Sequence, residues 1–87
     1  MISPFIVQLK SALVDYRTAV KSVKKSEYEE DFRRLIDIVE QIIQIIEIGD
    51  LKKARLLSLA FSRSVTDSFA VQPNEYKNLS KLICMID

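Results

Sequence analysis

SEYEEDFRRLIDIVEQIIQIIEIGDL, residues 26–51, is the stretch whose reading decides the fold. Ser26 followed by Glu29 has the form of a capping box, in which serine accepts from an otherwise orphaned backbone N–H and the glutamate three residues on returns the bond. Glu27, Glu29, Glu30 and Asp31 fill the first turn, where the helix dipole favours anions. Tyr28, Phe32, Leu35, Val39, Ile42 and Ile46 then follow at spacings of 4, 3, 4, 3, 4, one face of a helix. Ile36, Ile38, Ile43 and Ile45 widen that face to about half the circumference, so this helix is expected to sit at the centre of a core with more than one neighbour. Isoleucine favours strands by propensity, but the period here is helical. Gly49-Asp50 then supplies a residue able to take the left-handed conformation and a residue able to cap the next helix. A junction this short predicts an antiparallel helix pair.

Upstream, Ser3-Pro4 opens a helix whose apolar face runs Ile6, Leu9, Leu13, Tyr16, Val20, Val23, with Ala12 and Ala19 allowing close approach. Lys21, Lys24 and Lys25 fall in its last turn, where cations complement the dipole. Downstream, Leu51, Ala54, Leu57, Phe61, Val65 and Phe69 form the buried stripe of a third helix, with Ser58, Ser64 and Ser68 beside it for close packing. Tyr76, Leu79, Ile83 and Ile86, with Leu82, form that of a short fourth helix after Gln72-Pro73-Asn74, whose last turn is expected to fray. The reading is a single all-α domain over residues 1–87, an antiparallel up-down-up-down four-helix bundle with helices at about 4–25, 27–48, 51–70 and 74–86. The alternative is that the first two helices fuse across Ser26 into one rod that needs a partner chain to complete its core.

Composition limits function. With 87 residues, 48% hydrophobic and 29% charged, the chain is globular, and one Gly with two Pro argues against a turn-rich β fold. One cysteine permits no internal disulfide and fits a reducing compartment, here read as the cytoplasm. Met1 to Lys10 does not read as a signal peptide, and the apolar runs are far shorter than the ~20 residues of a transmembrane helix. There is no histidine, which removes the commonest general base and transition-metal ligand. One glycine cannot build a phosphate-binding loop, and no G-x-S-x-G elbow occurs. No enzyme activity, metal or cofactor is expected. Glu29, Glu30 and Asp31 could hold a hard cation, but they suit the start of a helix better.

The net charge is +1, too small for a nucleic-acid binder recruited by bulk electrostatics. It is unevenly spread. Residues 1–25 carry five bases and one acid, residues 26–49 seven acids and two bases, so the first two helices should attract each other. Lys52, Lys53 and Arg55 cluster at the start of the third helix, where the dipole disfavours cations, so helix stability does not explain them. Leu56 and Leu59 fall off that helix's buried stripe, on the side of Lys52 and Arg63, and form a candidate partner surface unless a neighbouring helix covers them. Val7 and Val14 pose the same question on the first helix, and exposure of both sets would favour a homodimer. Cys84 falls off the buried stripe of the fourth helix and is read as an inert thiol.

Ser68-Phe69-Ala70, a short polar break, and then NEYKNLSKLI (residues 74–83) resembles the end of the small cytoplasmic immunity proteins that protect bacteria making pediocin-like bacteriocins. Those are antiparallel four-helix bundles without catalytic sites. The resemblance implies a protein partner, a membrane permease occupied by a bacteriocin and approached from inside the cell, with contacts on the third and fourth helices. Leu56, Leu59, Lys52, Arg63, Lys77 and Lys81 are the residues to suspect. IGDLKKARLL (residues 48–57) is similar instead to the helix junction of small flagellar or secretion chaperones, which work as dimers or hold an apolar partner helix in a groove.

Overall fold

A computed structural model describes residues 4–22, 26–67 and 72–86, without the side chains of Ser26, Glu27 and Asp67. Its four helices are α1 (Pro4–Lys21), α2 (Ser26–Ile48), α3 (Leu51–Asp67) and α4 (Glu75–Cys84). No strand occurs among the described residues. The fused rod is overturned: a continuous helix from residue 4 to residue 48 would run about 68 Å, and the molecule measures 38 × 22 × 17 Å. The Ser26 side chain on which the expected capping box depends, the last turn of α1 at 23–25, and Ser68 and Phe69 lie outside what is described.

The α2–α3 junction follows from its two polar residues. Gly49 has φ +98°, and its N–H donates to the Ile46 carbonyl at 3.0 Å while the Asp50 N–H donates to the Ile45 carbonyl at 3.1 Å. That pair of bonds around a left-handed glycine is a Schellman motif, which satisfies carbonyls the helix leaves orphaned. The Asp50 carboxylate then accepts from the Lys53 N–H at 3.1 Å, capping α3. The chain reverses in two residues, and α3 packs chiefly on α2.

Antiparallel order also holds on either side of α1. Lys10 pairs with Glu47 at 2.7 Å and Arg17 with Glu40, so α1 and α2 run in opposite directions, joined by the charges that the sequence distributes between them. Tyr16 meets Gln72 and Tyr76, whereas Val7 and Ser11 lie beside Leu82 and Asn78, so α4 runs back along α1. The result is the up-down-up-down bundle.

The core is built from Leu9, Leu13 and Tyr16 of α1, Phe32, Leu35, Val39, Ile42 and Ile43 of α2, Phe61 of α3 and Leu79, Leu82 and Ile83 of α4. Full burial of each such side chain contributes about 1.5–3 kcal/mol. A chain of ring contacts ties all four helices together at one end. Tyr28 meets Phe32 at 6.3 Å, Phe32 meets Tyr16 at 6.3 Å, Tyr16 meets Tyr76 at 6.5 Å, and Tyr76 stacks on Phe61 at 6.1 Å. Edge-on and stacked pairs of this kind add about 0.5–1.5 kcal/mol each beyond their area.

Two expectations are corrected. Leu51, assigned to the buried stripe, is 59% exposed, because it is the first residue of α3 and lies beyond the layer of side chains that the other helices supply. The fourth helix is shorter than 74–86: Asn74 makes no side-chain cap bond, and after Cys84 the chain tightens, with the Met85 and Ile86 N–H groups donating to Leu82 and Ile83, three residues back.

Candidate functional site

The inner face of α3 explains its outer one. Ala54 and Ser58 are small and buried, and let the α3 backbone approach α2; Phe61 follows one turn on. At 100° per residue, Lys52, Leu56, Leu59 and Arg63 then share the stripe diametrically opposite Ala54 and Phe61. Leu56 is 63% exposed and Leu59 49%, and Lys52 and Arg63 are exposed beside them. No neighbouring helix covers the two leucines. Lys53 and Arg55 flank the same face and are also exposed.

Charge sets this face apart. No acidic residue occurs between 51 and 66. Lys52, Lys53, Arg55 and Arg63 form no ion pair with any described side chain, whereas Lys10 and Arg17 of α1 are both paired across to α2. The apolar pair at i and i+3 is bracketed by a cation one turn before and one turn after it, a patch about 17 Å long.

Lys77 and Lys81 are exposed on the side of α4 opposite Leu79 and Ile83. The structure does not join them to the α3 stripe. α3 and α4 meet on their inner faces through the Phe61–Tyr76 stack, so their outer faces look in different directions. Val7 and Val14 are both exposed on α1, Val7 at the rim of a groove shared with α4. Cys84 is an exposed free thiol.

The sequence did not point to two features. An open groove of about 320 Å³ between α1 and α4 is lined by Val7, Gln8, Ser11, Asn78 and Leu82. A buried polar contact joins Tyr16, whose hydroxyl donates to Gln72 Oε1 at 2.8 Å, to the segment before α4. Burial, with Tyr76 alongside, pushes the Tyr16 hydroxyl well above the usual phenol range, and the bond to Gln72 opposes this only in part. Tyr16 is therefore neutral across the physiological range and serves as a hydrogen-bond donor, not as a base. Its only polar signal in the sequence is a tyrosine on an apolar stripe.

Among the described residues, no three His, Cys, Asp or Glu side chains converge to hold a metal ion, and no helix is long and apolar enough to cross a membrane. Glu29 and Glu30 are exposed at the start of α2, and Asp31 is half-buried with an interaction of its own. Comparison with family models, with curated proteins and with solved structures finds no match to the chain.

Proposed function

We propose that the chain is a non-enzymatic protein-binding module of the cytoplasm, and that it acts as a bacteriocin immunity protein meeting a permease–bacteriocin assembly from inside the cell. The observation that carries the binding reading is the exposure of Leu56 and Leu59 on the outer face of a helix whose inner face is occupied by Ala54, Ser58 and Phe61 against the rest of the bundle. Leucines held this way on a rigid helix, ringed by long basic side chains, resemble the anchor and rim of a contact surface. The immunity reading adds the four-helix plan and the similarity at Asn74–Ile83. Its test is expression in a strain sensitive to pediocin-like bacteriocins. The wild type protects, and a Leu56→Ser, Leu59→Ser variant with an unchanged circular dichroism spectrum does not. Failure of the wild type to protect against any bacteriocin of the class overturns the immunity reading.

One observation favours a second reading, a small chaperone or regulator working as a homodimer. Val7 and Val14 are exposed on α1 as well as the leucines on α3, so the bundle has apolar side chains free on two faces. Light scattering separates the two readings. A monomer at all concentrations leaves the leucines to a different protein, whereas a dimer that the Leu56→Ser, Leu59→Ser change splits makes them the seam between copies.

A further inference from the structure

The cations of α3 demand an explanation that the helix itself does not supply. Lys52, Lys53 and Arg55 stand at its N-terminal end, where the dipole opposes them, and Asp50 has to cap it. Nothing among the described side chains neutralises them, and the two leucines between them face solvent. We propose that the outer face of α3 docks an acidic amphipathic helix of a partner protein. Apolar side chains of that helix seat on Leu56 and Leu59, and its carboxylates meet Lys52, Lys53, Arg55 and Arg63. This rests on the protein-binding reading above and names the chemistry of the partner.

Charge selects this occupant. A second copy of α3 laid on the first in either direction sets cations against cations, which costs affinity and fails to neutralise the face. A lipid surface takes a helix with a broad apolar face and basic residues at its margins. Here Lys52 and Arg63 lie in line with the leucines, in the middle of the face, so the apolar strip is one side chain wide. A stripe of that width, with Lys52, Leu56, Leu59 and Arg63 at spacings of 4, 3, 4, fits the ridge of another helix.

The test is an NMR titration of the labelled full chain with a short lactam-stapled helical peptide carrying two leucines three positions apart between glutamates. A companion peptide has lysine for glutamate, and vesicles of phosphatidylserine with phosphatidylcholine are run in parallel. The expected result is amide shifts confined to residues 52–63 with the acidic peptide alone. That binding falls roughly tenfold or more in Leu56→Ser, Leu59→Ser and in Lys52→Glu, Arg63→Glu, and the second variant turns to the lysine peptide. Equal binding of both peptides overturns the acidic partner while leaving α3 a protein contact. Vesicle binding with neither peptide bound overturns the proposal and the protein-binding reading with it. No α3 shift with any of the three probes overturns the proposal alone.

Discussion

Replacing Tyr16 with phenylalanine removes one oxygen from the middle of the molecule. The ring is fully buried, and its hydroxyl donates to Gln72 Oε1 at 2.8 Å, tying α1 to the segment that leads into α4. Gln72 Nε2, on the same amide, is buried without a partner, so the amide is anchored through its oxygen only. Without the hydroxyl neither end is held. A net hydrogen bond of this kind contributes about 0.5–1.5 kcal/mol, and a stranded buried partner costs about 1–3 kcal/mol. Gln72 as a residue is half-buried and can turn its amide outward, which places Tyr16→Phe near the low end, about 1.5 kcal/mol. For a chain of this size, with total stability of about 4–13 kcal/mol, that is a substantial fraction. It lowers Tm by about 6–12 °C. Gln72→Leu strands the hydroxyl of a fully buried tyrosine and costs more, about 2 kcal/mol. The double variant replaces both partners with apolar groups and discards the unpartnered nitrogen, so it should lie closer to the wild type than the sum of the two. Urea unfolding followed by far-ultraviolet circular dichroism, with m constant across the four proteins, gives a coupling of about 1 kcal/mol or more. Additive losses, or a Tyr16→Phe variant within about 0.3 kcal/mol of wild type, refute the argument that this bond holds α4 in register.

The same hydroxyl gives the bundle an alkaline limit: the folded state holds its proton above the ordinary value of 10.0, the unfolded chain releases it there, and stability, intact below that pH, falls by about 1.4 kcal/mol per unit above it. Denaturation between about pH 9 and 12 should show that extra slope in the wild type and not in Tyr16→Phe. Gly49→Ala should cost about 1–2 kcal/mol in thermal melts through φ +98° alone, because a Cβ there meets nothing within 4 Å. Leu56→Ser with Leu59→Ser should cost about 1–2 kcal/mol, from helix propensity and the buried part of each side chain; a loss of about 4 kcal/mol or more by denaturant titration would mean that they are part of the core.

What was legible in the sequence was what short-range chemistry decides. The Gly49-Asp50 reversal is written in two residue types, one able to take φ +98° and one able to accept from the Lys53 N–H. The buried stripe of α2 follows from a period that about five consecutive turns repeat. The rest depends on where separate helices dock. Tyr16 and Gln72 are 56 residues apart, and nothing local to either names the other. Leu51 carries the period of the α3 stripe, but period does not reveal where the neighbouring helices stop supplying side chains, so it reads as buried and stands exposed. Lys77 and Lys81 share a type of position with Lys52 and Arg63, outward and basic. Only the docking of α3 on α4 through Phe61 and Tyr76, on the sides away from these cations, keeps the two pairs from reading as one surface.

The outer face of α3 is held in place by residues that never reach it. Ser58 is 1% exposed and Ala54 fully buried on the side of α3 that packs chiefly on α2, and side chains this small permit a close approach. A contact surface on such a helix is pre-organised, so a partner loses little freedom in ordering it. The consequence can be tested at a distance. Ser58→Leu puts a much larger side chain at a position 1% exposed, which costs about 1–3 kcal/mol and pushes α3 outward. It leaves Lys52, Leu56, Leu59 and Arg63 chemically unchanged. If the stripe binds as a rigid unit, this variant loses affinity for the acidic peptide while the α3 amides shift together in the free protein. If the peptide binds it as tightly as the wild type, the leucines act as independent side chains, and the fit of α3 against α2 has no part in recognition.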